Sequence, residues 1–217
     1  MQYGPKIVRS GLVLHLDAGD RQSCSGAGAT VWKDLSGNSN TASLSSGPTF
    51  SSSNGGILSF NGSSNFASAT MTSTLRPTTI TLEAWARKIN IVNHTAFLIG
   101  LQYSTGNTKT YGLYYWDGRL TMVINNNLAI RGGNAISSNT WYHFVGTYDL
   151  STIKTYANGV FEASTAYTSA ITYDTNNTQL TIGSTYDGTG YQVFNTRWWD
   201  GDMGIIRIYN RCLLYTS

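Results

Sequence analysis

The sequence predicts an all-β fold, a two-sheet antiparallel β-sandwich of jelly-roll type, and three observations carry that prediction. No stretch of about 11 residues or more sustains the apolar period of a helix. Short runs of β-branched and aromatic residues recur between clusters of Gly, Asn and Ser. The three prolines, Pro5, Pro48 and Pro77, all fall between those runs, where a missing N–H costs no ladder bond.

Taken in order, the runs predict strands at Leu12–Leu16, Ile57–Phe60, Phe66–Ala69, Ile80–Arg87, Ala96–Gln102 and Tyr111–Trp116. Five more follow at Leu120–Asn125, Trp141–Asp149, Ile153–Ala157, Leu180–Ile182 and Gly204–Tyr209. Turn signals separate them: Ser36-Gly37-Asn38, Asn61-Gly62-Ser63, Asp117-Gly118, Asn158-Gly159 and Asp187-Gly188. Asp117-Gly118 and Asn158-Gly159 each sit between two strand-like runs, and they supply the positive φ of a two-residue type I′ hairpin. Cys24 to Asn54 is Gly/Ser-rich and reads as a long surface excursion, anchored to the body by Trp32 and Leu35.

A chain of 217 residues suits one large β domain, assigned to residues 1–211. Hydrophobic residues make up 41%, enough for a core, while charged residues make up only 12%, about half the usual share. The net charge of +3 comes from dispersed Lys and Arg, which excludes a nucleic-acid stripe. No apolar run approaches the ~20 residues of a membrane helix, so membrane insertion is not expected. Met1 to Ser10 carries Lys6 and Arg9 but no apolar signal-peptide core. Two cysteines, Cys24 and Cys212, do not require a disulfide framework. The last six residues, Cys212-Leu213-Leu214-Tyr215-Thr216-Ser217, match one reading frame of the mosaic-end adapter of transposon-based library preparation. On that reading 212–217 is an adapter-derived tail, the source is metagenomic, and the native chain continues past Arg211.

The ordered motifs resemble a known family. They are Gly11-Leu12-Val13-Leu14-His15-Leu16-Asp17-Ala18, Trp32-Lys33-Asp34-Leu35-Ser36-Gly37-Asn38, Leu58-Ser59-Phe60-Asn61-Gly62, and Ile80-Thr81-Leu82-Glu83-Ala84-Trp85. Trp141-Tyr142-His143-Phe144-Val145-Gly146-Thr147-Tyr148-Asp149, Tyr156-Ala157-Asn158-Gly159 and Ile208-Tyr209-Asn210-Arg211 complete the set. Together they are similar to laminin-G-like modules of the concanavalin A-like lectin/glucanase superfamily, of the type found in tailed-phage structural proteins and bacterial surface proteins. The resemblance implies a non-catalytic carbohydrate-binding or adhesion module in a virion or at an extracellular surface. Its partners would be a glycan or cell-surface polysaccharide, and other virion proteins. It also implies a structural Ca²⁺, for which Asp17 and Gly62 match two of three expected positions. The third, an acid in the last strand, is replaced by Gly204, with Asp202 two residues earlier.

Catalysis is not expected. Glycoside hydrolysis needs two carboxylates flanking the bond, and no predicted strand carries such a pair. Glu83 alternates with Trp85 and Arg87 and is read as a sheet-face carboxylate paired with an arginine. The histidines, His15, His94 and His143, are not spaced as a zinc set. Sugar binding needs exposed aromatic faces beside hydrogen-bonding groups. Alternation places Tyr111, Leu113 and Tyr115 toward the core. Tyr114 and Trp116 are thereby expected to join Trp85 and Arg87 on an open sheet face, with Arg131, Trp198 and Trp199 near loops. The adjacent Trp198 and Trp199 cannot both face inward from a strand, so one is expected exposed or covering a loop. Two alternatives stand beside this reading: a structural interaction module that binds no sugar, and a glycoside hydrolase of the same superfamily.

Overall fold

The computed structural model describes residues 7–91, 95–103, 108–174, 178–185 and 197–213, without the side chains of 102–103, 108–109 and 127–132. The Asp187-Gly188 turn, His94, the Arg131 side chain, the chain up to Lys6 and residues 214–217 lie outside that description.

Among the described residues sixteen strands follow in order: β1 Leu12–Asp17, β2 Val31–Trp32, β3 Ala42–Ser45, β4 Thr49–Ser51, β5 Ile57–Asn61, β6 Phe66–Thr70, β7 Ile80–Lys88 and β8 Ala96–Tyr103. After these come β9 Thr108–Trp116, β10 Arg119–Ile124, β11 Asn127–Ala135, β12 Trp141–Tyr148, β13 Thr152–Ala157, β14 Val160–Ala166, β15 Gln179–Ile182 and β16 Asp200–Tyr209. One sheet runs β14-β13-β12-β7-β16-β5-β4, with β1 also paired to β16. The other runs β11-β10-β9-β8-β15-β6-β3-β2. All pairings are antiparallel among the described residues. The two sheets make the expected sandwich.

Both hairpins form as read: Asp117 and Gly118 have φ of 50° and 82°, Asn158 and Gly159 of 51° and 81°. Three expectations change. β11 and β14, absent from the eleven predicted strands, each form one edge of a sheet. The Cys24–Asn54 excursion contains β2, β3 and β4, which pair into both sheets. Trp32 is its anchor, fully buried in the core. Asp200-Gly201-Asp202, outside the predicted strand Gly204–Tyr209, begins β16 and pairs with β5 and β7.

Alternation fills the space between the sheets. Leu14, Leu82 and Ile206 from one sheet meet Leu113, Met122 and Ile182 from the other, each at most 1% exposed. Burying each such side chain contributes roughly 1.5–3 kcal/mol. Tyr111, Leu113 and Tyr115 face this core, as the alternation predicts. The tyrosines remain satisfied because their hydroxyls reach loop carbonyls, Tyr111 to Leu75 at 2.9 Å and Tyr115 to Ile91 at 2.7 Å. At the entry to the fold, the Asp34 carboxylate accepts bonds from the backbone N–H groups of His15, Ser36 and Asn40, each at 2.9 Å. That knot ties the loop after β2 to β1.

Gly201 fixes where β16 enters the sheet. Its φ is +149°, and a Cβ there would stand 2.1 Å from the Arg87 carbonyl oxygen. Gly201→Ala is therefore expected to lower stability by roughly 2–4 kcal/mol, combining backbone strain with overlap. Gly28→Ala serves as the control: φ is +76° and nothing lies within 4 Å of its Cβ, so the cost is about 1 kcal/mol. Urea unfolding of both variants checks this; equal midpoints would refute the packing argument.

Candidate functional site

The outward face of the β7 sheet carries a polar network that its alternation creates. Thr81, Glu83, Trp85 and Arg87 point away from the core, while Leu82, Ala84 and Ala86 point into it. Registry brings His143 opposite Trp85, Val145 opposite Glu83 and Trp141 opposite Arg87 from β12. From β16 it brings Arg207 opposite Glu83 and Asp202 opposite Arg87.

Two ion pairs result. Arg207 Nη1 donates to Glu83 Oε1 at 2.6 Å, and His143 Nε2 lies 3.0 Å from the same oxygen. Burial alone would raise the Glu83 carboxyl, but the His143 hydrogen bond and the Arg207 charge outweigh it and hold the carboxyl below its usual range. One register step away, Arg87 pairs with Asp202, and Ser59 Oγ donates to the other Asp202 oxygen at 2.5 Å. The expectation that Glu83 is an arginine-paired, sheet-face carboxylate is met by Arg207.

Trp85 stands above this network, 41% exposed. Its ring stacks on His143 with centroids 4.8 Å apart at 18°. Arg87 lies over the neighbouring Trp141 ring at 5.6 Å. Beside Trp85 opens a cleft of ≈ 830 Å³. It lies where β1 and β5 part along β16, at the Gly204 bulge. Trp85, Trp141, Ile205 and Gly204 line it together with Asp17, Asp20, Arg21 and Asn54 from the loops after β1 and before β5. The two loops touch through glycine: a Cβ on Gly19 would stand 2.0 Å from the Gly55 carbonyl oxygen. A second cavity of ≈ 350 Å³ shares Trp85 and is lined by Glu83, His143, Val145, Arg207 and Val8.

The structure divides the sequence-read binding residues. Trp85 and Arg87 are on this face. Tyr114 and Trp116 are on the outer face of the opposite sheet, so they cannot join them. Tyr114 is 1% exposed and stacks on Phe97 at 4.9 Å in a small apolar cluster with Val123 and Trp116. Trp199 is buried in the core, and Trp198 is buried against Phe66 with centroids 6.0 Å apart. Neither presents a free ring face. The core also takes Lys88, which ends β7 with its Nζ 5.4 Å from both the Tyr115 and Trp199 rings. Burial lowers its ammonium pKa to about 8, with Asp200 opposing. Trp141, His143 and Arg207 join the site without a local sequence signal.

The calcium-type positions are otherwise engaged. Asp202 is 2% exposed, and its carboxylate already has a cation and a hydroxyl. Asp17 Oδ1 accepts the Gly19 N–H at 2.8 Å. Gly62 makes a tight turn at φ +70°, donating its N–H to the Trp199 carbonyl at 3.1 Å. This donor set does not fit a hard divalent ion, which needs several free oxygens. Among the described residues no group of three or more His, Cys, Asp or Glu could hold a metal, and no helix is long and apolar enough to cross a membrane.

Known proteins resemble this architecture. No curated protein matches by sequence. A mutant of Trypanosoma rangeli sialidase displaying trans-sialidase activity superposes with a TM-score of 0.69 at 18% identity, over 98% of this chain and 32% of that chain. This chain thus spans about a third of that sialidase. Domain 4 of AbnA, a GH43 extracellular arabinanase from Geobacillus stearothermophilus, in complex with arabinotriose, superposes with a TM-score of 0.67 at 18% identity, over 95% of both chains. The binding domain of Paraclostridial Mosquitocidal Protein 1 gives 0.68 at 17% identity, over 95% of this chain and 50% of that one. At such identities the likeness is one of fold. A laminin-G-like family model matches residues 60–216, from the end of β5 through the whole of β16. Sandwich and match agree, and the chain belongs to the concanavalin A-like lectin/glucanases superfamily.

Proposed function

We propose that the chain is a non-catalytic carbohydrate-binding module that serves adhesion, in a phage tail or fibre or at a bacterial surface. The observation that carries this reading is Trp85: a large indole, 41% exposed, held in place by His143 beside a cleft rimmed with hydrogen-bonding groups. Sugars offer apolar C–H faces to such a ring and hydroxyls to such a rim. Support comes from the solved domain of the same fold in complex with arabinotriose, matched over nearly its whole length. Glu83 is bound by Arg207 and His143, an arrangement that suits bracing better than acid catalysis.

A second reading, a structural interaction module, is favoured by Val160 and Phe161, 60% and 53% exposed at the start of β14. A glycan array separates the two. Wild-type chain is expected to bind, Trp85→Ala to lose at least about 10-fold in affinity, and Trp116→Ala on the opposite sheet to bind normally. Absence of all glycan binding, with self-association on sizing, would replace the first reading by the second. Reducing-sugar release abolished in Glu83→Gln would establish an enzyme instead.

The network beneath the platform gives a pH dependence. Glu83 has a folded-state pKa below its usual value, so its contribution is complete above the unfolded carboxylate pKa of about 4.3 and is lost as pH falls through the folded value. His15 acts in the same direction at higher pH: burial and then Arg207 lower its pKa, so it favours the fold above about 6.5 and opposes it below. Melting temperature is therefore expected to decline from pH 7 toward pH 5 and more steeply below pH 4. In Glu83→Gln the steep lower limb should shrink; an unchanged profile would refute the assignment.

Calcium is left out of this reading because Arg87 already neutralises Asp202. Melting temperature is expected to be the same in millimolar CaCl₂ and in chelator. A clear rise with calcium would restore Asp17 and Asp202 as ligands.

A further inference from the structure

The two cavities beside Trp85 have a joint consequence that rests on the carbohydrate-binding reading. They flank the indole along β7. The larger lies toward Arg87, whose register partner Trp141 lines it, and the smaller toward Glu83 and Thr81. From Thr81 to Arg87 is about 20 Å of strand, the length of a short oligosaccharide and not of one sugar. At ≈ 830 and ≈ 350 Å³, each cavity is of the size that ordinarily takes a ligand group of its own.

Charge narrows the ligand further. Two arginines line the cavities among the described residues, and each is held by a hydrogen bond within the chain. Arg21 Nη1 donates to the Ser25 carbonyl at 2.5 Å, and Arg207 Nη1 to Glu83 at 2.6 Å. Asp17 and Asp20 on the rim accept backbone N–H bonds from Gly19 and Gln22 and form no ion pair among the described residues. The larger cavity thus sets two carboxylates against the single guanidinium of Arg21, and in the smaller one Arg207 is balanced by Glu83, so an anionic sugar would meet a surplus of negative charge and, among the described residues, no free positive charge to offset its own.

We infer that the face binds an internal stretch of a neutral polysaccharide, with sugar units in both cavities and Trp85 as the shared wall between them.

The test is titration calorimetry with neutral oligosaccharides graded from single sugars to long chains, and with uronic- or sialic-acid-bearing counterparts. Affinity is expected to rise about 10-fold or more with length in the neutral series, and to be weaker for the acidic series. Val8, 47% exposed on the wall of the smaller cavity, provides a block. Val8→Trp is expected to remove the gain with length, so that long neutral chains bind no tighter than short ones. The wild-type length series decides the matter alone if that variant does not fold. Binding that is independent of length, or that prefers acidic sugars, while still abolished by Trp85→Ala, overturns this inference and leaves the carbohydrate-binding reading standing. Absence of binding across both series overturns the reading itself.

Discussion

β16 can give its backbone hydrogen bonds once along each edge. One edge is taken throughout by β7, and the other is divided, with β5 on Asp200–Met203 and β1 on Ile205–Tyr209. Two strands cannot fill one edge without a seam, and the seam falls at Gly204. There the register with β7 shifts, and the Gly204 carbonyl accepts the Ala18 N–H at 2.8 Å as β1 leaves the sheet. The loops leading away from β1 and into β5 must then pass each other closely, which Gly19, Gly55 and Gly56 allow. The cleft beside Trp85 is what this division leaves open. The loop residues that line it, from Asp17 to Arg21 and from Asn54 to Gly56, owe their positions to the shared edge.

The polar network on the same face serves placement more than stability. Largely buried ion pairs repay little of their desolvation, and both pairs here are of that kind. What they secure is orientation. Arg207 and His143 converge on one oxygen of Glu83, so the imidazole is fixed in the plane on which Trp85 stacks. Arg87 is drawn to Asp202 and thereby spread over Trp141. An exposed indole loses little conformational freedom on meeting a ligand if its ring is already set.

The sequence made the strands legible wherever side chains alternate strongly in polarity, as in Ile80-Thr81-Leu82-Glu83. It hid β3, whose Ala-Ser-Leu-Ser has too little apolar bulk to stand out in a Ser/Gly-rich segment, although backbone pairing with β6 does not need bulk. Glu83, Trp85 and Arg87 could be placed on one face because parity is local. Their partners could not, because His143 is 60 residues from Glu83, and Arg207 is 124 away. The same distance misled the reading of Asp202, whose partner Arg87 lies 115 residues earlier. Parity says which face of its own sheet a residue occupies but not which sheet that is, and so Tyr114 was grouped with Trp85.

The pairing of β1 with β16 joins Leu12 to Tyr209, almost the two ends of the described chain. During synthesis β1 therefore emerges long before β16, its ladder partner among the described residues. Val13-Leu14-His15-Leu16, buried in the finished sandwich, must wait as an unpaired apolar strand until β16 has been made. Closing so long a loop carries a high entropic cost and slows folding, and the waiting segment is exposed to wrong pairing with other nascent chains. The division of β16 softens this. β5 pairs with its leading half, so most of the β7 sheet can assemble before β1 docks. Docking of β1 then becomes a late step, and the cleft acquires its second wall only when that step is complete.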